Sequence, residues 1–208
     1  MKISFQLFLI IAFSYLLLSC SSTQTIINKE KLAKDFSDKE KELISKEDGS
    51  KPMRVYTIDN PTDSILLNTK SERVLVNKNS TLKKLVDRLY ATVTDSSSLG
   101  VGIAAPQVGV LRKIIWVQRF DKEGAPFEVY LNPQIIQYSK KKQKQTEGCL
   151  SVPNRYDELN VRSYAILIEY DTMDNKHKVE MVEDFTAVIF QHEIDHLQGI
   201  IYTEYLVN

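Results

Sequence analysis

The sequence predicts an α+β domain built on an antiparallel or mixed sheet. Strand-like segments outnumber helical ones and follow one another closely, which favours pairing between sequence neighbours over a doubly wound parallel sheet. The 208 residues have globular composition, with 43% hydrophobic and 26% charged residues. The 27 Lys and Arg residues balance the 27 Asp and Glu residues, so the formal net charge is zero. There is thus no excess of positive charge that would indicate a nucleic-acid partner. Two cysteines exclude a disulfide-rich scaffold.

The first nineteen residues are expected to be a lipoprotein-type signal peptide. Lys2 precedes an apolar stretch, residues 5–18, that is too short to span a bilayer but has the length of a signal-peptide core. Leu-Leu-Ser-Cys at residues 17–20 resembles the lipobox of bacterial lipoproteins, which makes Cys20 the expected lipidation site. A signal anchor and an ordinary signal peptide with an incidental cysteine are the alternatives.

Residues 20–52 are dense in charge and are expected to form a tether between the lipid anchor and the domain. Their apolar residues are too few to bury a core of their own. Gly49 and Pro52 then indicate a turn or loop before the domain. The expected product is a membrane-anchored lipoprotein whose domain lies outside the cytoplasm. Translation from Met53 is the alternative, and it would give a cytoplasmic protein without an anchor.

Two helices are predicted in the domain. Asn79 and Ser80 can cap the first, whose apolar residues recur at helical spacing: Leu82, Leu85, Val86, Leu89 and Tyr90. Asp184 can cap the second, and Gly199 is placed to end it.

Four strands are predicted between these helices. Residues 113–120 and 128–131 have strand-like patterns, with one proline between them and another after the second. Residues 164–170 and 176–182 flank an Asp-Asn pair, which predicts a hairpin.

The sharpest functional motif is His-Glu-Ile-Asp-His at residues 192–196, on the last predicted helix. Residues four positions apart share a helical face, so both imidazoles can bind one metal ion while Glu193 lies beside it. Two histidines do not suffice for a metal with three protein ligands and one open position. Without a third ligand, a structural histidine pair is the simpler interpretation.

Cys149, within Glu-Gly-Cys-Leu-Ser at residues 147–151, is the candidate third ligand. A thiolate binds both zinc and ferrous iron well. If Cys20 is lipidated, Cys149 has no disulfide partner, which leaves it available to a metal. The alternative for a free thiol is a small buried apolar role.

A third segment, residues 100–109, is rich in glycine. It lacks both the GxGxxG pattern and the Lys-Ser/Thr ending of a phosphate-binding P-loop. Its small residues permit the close approach of a ligand or a strand, and Gln107 offers an amide donor that can face a developing oxyanion.

Together and in this order, the three segments closely resemble those of peptide deformylases. The family pattern is a GxGxAAxQ loop, an EGCxS segment and a terminal HExDH helix, and residues 100–107, 147–151 and 192–196 match all three. The resemblance covers residues 53–205. It implies a peptide-deformylase-like α+β fold with antiparallel or mixed sheets packed around the C-terminal metal-binding helix, and a catalytic domain over residues 53–208.

The resemblance also implies a hydrolase that removes the formyl group from N-formylmethionyl peptides. Cys149, His192 and His196 would bind one divalent metal ion, Fe²⁺ in many members and Zn²⁺ in others. Glu193 would act as general acid/base on the attacking water. Asp195 would orient a partner or stabilise the structure rather than take part in catalysis.

The remaining site residues follow from the same resemblance. Gln107 and the Leu150 backbone amide would stabilise the oxyanion. Backbone around Val101 and Gly102 would pair with the substrate as an added strand. The methionine side chain would enter an apolar pocket lined by Val188 and Ile189.

Two other functions fit parts of the pattern. A zinc peptidase shares the HExxH motif, although the upstream cysteine and the Gln107 loop favour a deformylase. A catalytically idle or repurposed lipoprotein that binds peptides or metal is the second, and the intact Glu193 and Gln107 argue against it. Ribosome-docking members often carry a basic C-terminal helix, whereas this sequence ends in Tyr-Leu-Val-Asn, so ribosome docking is not expected. The expected partners are the formyl-methionyl peptide and, through Cys20, the membrane.

Overall fold

The computed structural model describes residues 33–76, 79–96 and 100–206. Within these ranges the α-helices are α1 (Asp38–Ser45), α2 (Pro61–Leu67), α3 (Ser80–Val93) and α4 (Asp184–Gln198). The strands are β1 (Gly102–Ala104), β2 (Ile114–Gln118), β3 (Phe127–Tyr138), β4 (Lys142–Cys149), β5 (Val152–Ser163), β6 (Ala165–Asp171) and β7 (His177–Glu183). Short 3-10 helices span Ala105–Val108 and Tyr202–Leu206.

Two antiparallel sheets organise the strands. Five strands pair in the order β1-β2-β3-β6-β7, and β4 and β5 form a separate hairpin. The β6–β7 pair is the predicted hairpin, and Asn175 takes a positive φ of 58° in its turn. Because β1 lies at one end of the five-stranded sheet, it pairs with β2 alone among the described strands, and its other edge has no strand partner.

Helix α4 packs against the five-stranded sheet. The fully buried Phe190 ring meets the Tyr130 ring edge-on at 4.7 Å, within a cluster that also contains Ile115 and Ile168. Gly199 ends the helix as predicted, in the left-handed conformation. The expected Asp184 cap is wrong, because Glu183 occupies the capping position without a side-chain cap bond and Asp184 is the first helical residue.

Helix α3 confirms the prediction over residues 79–90. The Asn79 side chain accepts a hydrogen bond from the Thr81 amide at 2.7 Å, and the predicted leucines are fully buried. Tyr90 differs, since it is 44% exposed and packs on the Trp116 ring at 5.0 Å.

Strand β2 lies where it was predicted, but β3 is longer than expected. It continues through Pro133 because the pairing with β6 shifts register between Leu131 and Gln134, and such a bulge does not require the amide hydrogen that proline lacks. The β4–β5 hairpin was not predicted. Its first strand is mostly polar and half exposed, so it carries no apolar alternation.

The expectation of a charged tether over residues 20–52 is corrected for residues 35–52. Phe36 and Ile44 are buried in the main core with side chains of α3, and one compact unit extends from Asp35 to Asn208. Although the segment cannot form a core alone, it completes one that the rest of the domain supplies.

Two buried arginines hold this segment. Arg88 of α3 donates to the carbonyls of Leu43 and Ile44 at 3.1 Å, near the end of α1 where helix carbonyls lack intrahelical partners. Arg112 donates to the Glu40 carboxylate at 2.7 Å and to the Asp35 carbonyl at 2.8 Å. Residues 35–52 are therefore part of the folded domain.

The expected signal peptide and Cys20 lie outside the described residues. Within the described ranges, no helix combines the length and the apolar character needed to cross a membrane.

Candidate active site

A cavity of about 450 Å³ opens between α4, the β1 region and the β4–β5 hairpin. Among the residues predicted from the sequence, Val101, Gly102 and Gln107 line it from the β1 side, Cys149 and Leu150 from the hairpin, and Val188, Ile189, His192 and Glu193 from α4. His196 lies one helical turn deeper and is buried. Every described candidate residue is therefore at this cavity or directly below it.

Three side chains converge on one point at the cavity wall. The ligand atoms of Cys149, His192 and His196 all lie within 4.8 Å of one another, and Cys149 Sγ is 3.2 Å from His196 Nε2. Helix α4 presents both imidazoles on one face, and the cysteine comes from the end of β4. One thiolate and two imidazoles form a donor set that suits zinc or ferrous iron, so these residues fit a divalent metal ion.

A buried ion-pair chain fixes the first histidine. His192 Nδ1 lies 2.8 Å from Glu147 Oε2, and Glu147 accepts two hydrogen bonds from Arg162, at 2.7 and 2.8 Å. Because Nδ1–H donates to the carboxylate, the Nε2 lone pair of His192 is left for a metal ion. Arg162 also binds Asp195, which in turn accepts a hydrogen bond from Tyr205 at 3.0 Å.

Electrostatics favour the ionised forms of Glu147 and Cys149. Burial raises the pKa of Glu147, but hydrogen bonds from Arg162 and His192 outweigh it and lower the pKa to about 2. Burial also raises the pKa of the Cys149 thiol, yet His196 and His192 hold that pKa well below its ordinary value. The thiolate is thus the favoured form, as metal binding requires.

Glu193 lies beside this centre with a carboxylate held out of water. It is 4% exposed, and its Oε2 has no hydrogen-bond partner among the described residues. Burial raises the pKa of Glu193 to about 7, against the opposing effect of the two histidines. A Cβ at position 102 would come within 2.9 Å of the Glu193 Cδ atom, so glycine in β1 makes room for the carboxylate.

Gln107 is held in one orientation. Its Oε1 accepts a hydrogen bond from the Ala104 amide at 2.8 Å, which turns Nε2 toward the metal ligands. Nε2 donates to Ser151 Oγ at 3.2 Å and lies 3.6 Å from Cys149 Sγ. The amide nitrogen is therefore held beside Ser151 and Cys149, at the cavity.

Comparison with known proteins identifies the family. A sequence model of the family Polypeptide deformylase matches residues 52–208. The chain belongs to the polypeptide deformylase family. It is therefore a metal-dependent hydrolase of the peptide deformylase type, and the expected peptide-deformylase-like α+β fold is confirmed.

Individual peptide deformylases show the same similarity. The chain is 33% identical over 139 residues to the peptide deformylase of Finegoldia magna, covering 67% of this chain and 83% of that protein. It is 35% identical over 164 residues to that of Roseiflexus sp. strain RS-1, covering 73% and 86%. The Met-Ala-Ser-bound crystal structure of a class I type b peptide deformylase from Acinetobacter baumannii matches with a TM-score of 0.64 and 30% identity, covering 75% of this chain and 99% of that one.

The residues that hold the candidate metal ligands in place in this peptide deformylase were not predicted from the sequence. Arg162 carries no motif of its own, and its role depends on contacts with Glu147 and Asp195, which are 15 and 33 positions away. Glu147 could have been found, because it stands two positions before Cys149 in a matched segment. Tyr156 and Phe185 also line the cavity and had no sequence signal.

Proposed function

We propose that this deformylase acts on N-formylmethionyl peptides and that the cavity residues carry the reaction. The observation that supports it most directly is the convergence of three metal-ligand side chains, a buried carboxylate and an oriented amide at one cavity. The Acinetobacter baumannii relative was crystallised with Met-Ala-Ser bound, which is a peptide of the expected product class.

Cys149, His192 and His196 would hold the metal ion. A divalent ion held there supplies the Lewis acidity that makes water a nucleophile at neutral pH. We take Fe²⁺ as the native ion, following the family resemblance, with Zn²⁺ as the alternative that the same ligands accept. Glu147 keeps His192 oriented and makes no contact with the substrate. Replacing Glu147 should therefore weaken metal binding without removing a substrate contact.

Glu193 would move the proton. Its carboxylate lies next to the backbone of Gly102, where the formyl group of a peptide paired with β1 would lie. The carboxylate takes a proton as water attacks the formyl carbon, and it then donates that proton to the departing amine. Formate and a peptide with a free amino group are the products.

Gln107 and the Leu150 amide would bind the developing oxyanion. Because Ala104 fixes the Gln107 side chain, no reorientation is needed as the charge forms. Preorganised donors of this kind are among the largest contributors to acyl-transfer catalysis.

The substrate would lie along the open edge of β1. Backbone hydrogen bonds at Val101 and Gly102 would give affinity for any extended peptide, as in other cases of strand addition. Val188 and Ile189 are buried apolar side chains of α4 on the cavity wall, and they offer a dry surface to the methionine side chain.

Formate release tests this function. The metal-loaded protein should release formate from formyl-Met-Ala-Ser, and a chelator should abolish the activity. Free Met-Ala-Ser is the control substrate, since cleavage of its peptide bonds would indicate a zinc peptidase. A metal-loaded protein that cleaves neither peptide would indicate an idle, repurposed member of the family and would refute the proposal.

We also propose that the chain is anchored in a membrane through lipidated Cys20, with its domain outside the cytoplasm. The apolar run and the Leu-Leu-Ser-Cys motif at residues 17–20 support this. Two acyl chains suffice for stable anchoring, since each buried CH₂ contributes about 0.8 kcal/mol. Fractionation with mass spectrometry of the N-terminus should find a diacyl or triacyl Cys20, and Cys20→Ala should abolish that modification. A soluble protein beginning at Met53 would refute the anchor.

A further inference from the structure

The rim of the active-site cavity carries an aromatic side chain that the proposed mechanism does not use. Tyr156 of β5 lines the cavity and is 76% exposed. Tyrosine is enriched among residues that carry binding energy.

The β4–β5 pairing places this ring next to the reaction centre. Tyr156 pairs with Gly148, the residue immediately before the metal-ligand candidate Cys149. A Cβ at position 148 would meet Tyr156 Cδ1 at 2.5 Å, so the ring lies directly over the glycine. A peptide bound with its formyl group at Cys149 would therefore lie close to the Tyr156 ring.

Hydrogen bonds hold the two sequence neighbours of Tyr156, Arg155 and Asp157, in place. Asp157 accepts a hydrogen bond from Arg155 Nε at 2.7 Å and another from the Tyr202 hydroxyl at 3.0 Å. The Tyr202 hydroxyl also lies 3.3 Å from the Arg155 carbonyl. These contacts fix the backbone on both sides of Tyr156 and pair the Arg155 charge with a carboxylate, so the rim at this point presents a ring rather than an unpaired charge.

We propose that Tyr156 is a specificity-determining residue that binds the side chain following the formylmethionine and favours an apolar or aromatic residue there. This rests on the proposed function. Successive side chains of an extended peptide point to opposite faces. When the methionine enters the buried surface at Val188 and Ile189, the next side chain points outward, toward the exposed ring of Tyr156.

The test compares two substrates, formyl-Met-Phe-Ser and formyl-Met-Ala-Ser. The wild-type protein should prefer the phenylalanine peptide. Tyr156→Ala should lower kcat/KM for that peptide about three- to tenfold, through KM with kcat unchanged, and should leave the alanine peptide almost unaffected. Tyr156→Phe should retain the preference, because the ring and not the hydroxyl makes the contact. Met181→Ala is the control, since Met181 is 65% exposed on β7 and lies outside the cavity lining.

Two outcomes would overturn the proposal. If Tyr156→Ala lowers kcat/KM equally for both peptides, Tyr156 supports the site but does not distinguish the substrate side chain. If kcat/KM changes for neither peptide, Tyr156 contributes nothing to substrate binding. If wild-type protein releases no formate from either peptide, the proposed function fails separately. Calorimetric binding of Met-Phe-Ser and Met-Ala-Ser to wild-type and Tyr156→Ala protein then still tests Tyr156, with loss of the phenylalanine preference expected and an unchanged preference contradicting it.

Discussion

Replacing Ile44 by alanine should destabilise the domain, although Ile44 precedes the region matched by the family model. Its side chain is 0% exposed and packs in the same core cluster as Leu85 and Leu89 of α3. The substitution removes three buried carbon groups at about 0.8 kcal/mol each. With the cavity left behind, the expected loss is about 3 kcal/mol, which lies within the usual range for such changes.

Urea unfolding of the otherwise unchanged protein measures this loss. A loss of about 3 kcal/mol should lower the melting temperature by roughly 6–12 °C in a domain of this size. Ile65→Ala is the matched control, since Ile65 is 74% exposed on α2 and its change should stay within about 0.5 kcal/mol.

Equal urea midpoints for the two variants would refute the packing of residues 35–52 and restore the tether interpretation. A large loss for Ile44→Ala alone would also show that a product starting at Met53 lacks a part of its core. The same measurement therefore bears on the cytoplasmic alternative.

The other predictions concern the metal site and pH. Cys149→Ala should weaken metal binding severely, because two imidazoles leave the ion under-coordinated, and stoichiometric metal held with unchanged affinity in a competition assay would exclude Cys149 as a ligand. Glu147→Gln should lower metal affinity about 10- to 100-fold by loosening His192, and a chelator titration that matches wild type would contradict this. The Arg54 guanidinium lowers the pKa of Asp63 in the folded state. The pair therefore stabilises the fold at pH values above the unfolded-state pKa of about 3.9. This stabilisation is lost as the pH falls through the lower pKa that Asp63 has in the folded state. Urea midpoints of wild type and Asp63→Asn should therefore differ at pH 7 and converge in strong acid, and a gap independent of pH would be inconsistent with the assignment.

Local patterns were enough to predict the elements that carry short-range signals. The α3 face repeats at helical spacing, the β6–β7 turn contains an Asp-Asn pair, and the two candidate metal-ligand histidines stand four residues apart on α4. Each of these features depends on residues that lie close together in the sequence, so the local pattern is enough to predict it.

Features that depend on distant partners could not be predicted in this way. Helix α1 looked like a solvated charge run, because the arginines that hold it, Arg88 and Arg112, come from elements more than forty positions later. The β4–β5 hairpin is mostly polar and at least partly exposed, and several of its residues line the cavity. Arg162 and Tyr156 lie on that hairpin, and nothing local marks them.

In the proposed mechanism, Glu193 moves the proton while three other residues hold the metal ion. The deciding measurement is formate release by metal-loaded Glu193→Gln, with metal content determined on the same sample. The variant should retain one ion per chain and lose about 10²- to 10⁴-fold in turnover, the usual contribution of general acid/base catalysis. Turnover close to that of the wild-type protein, with the metal in place, would contradict the mechanism.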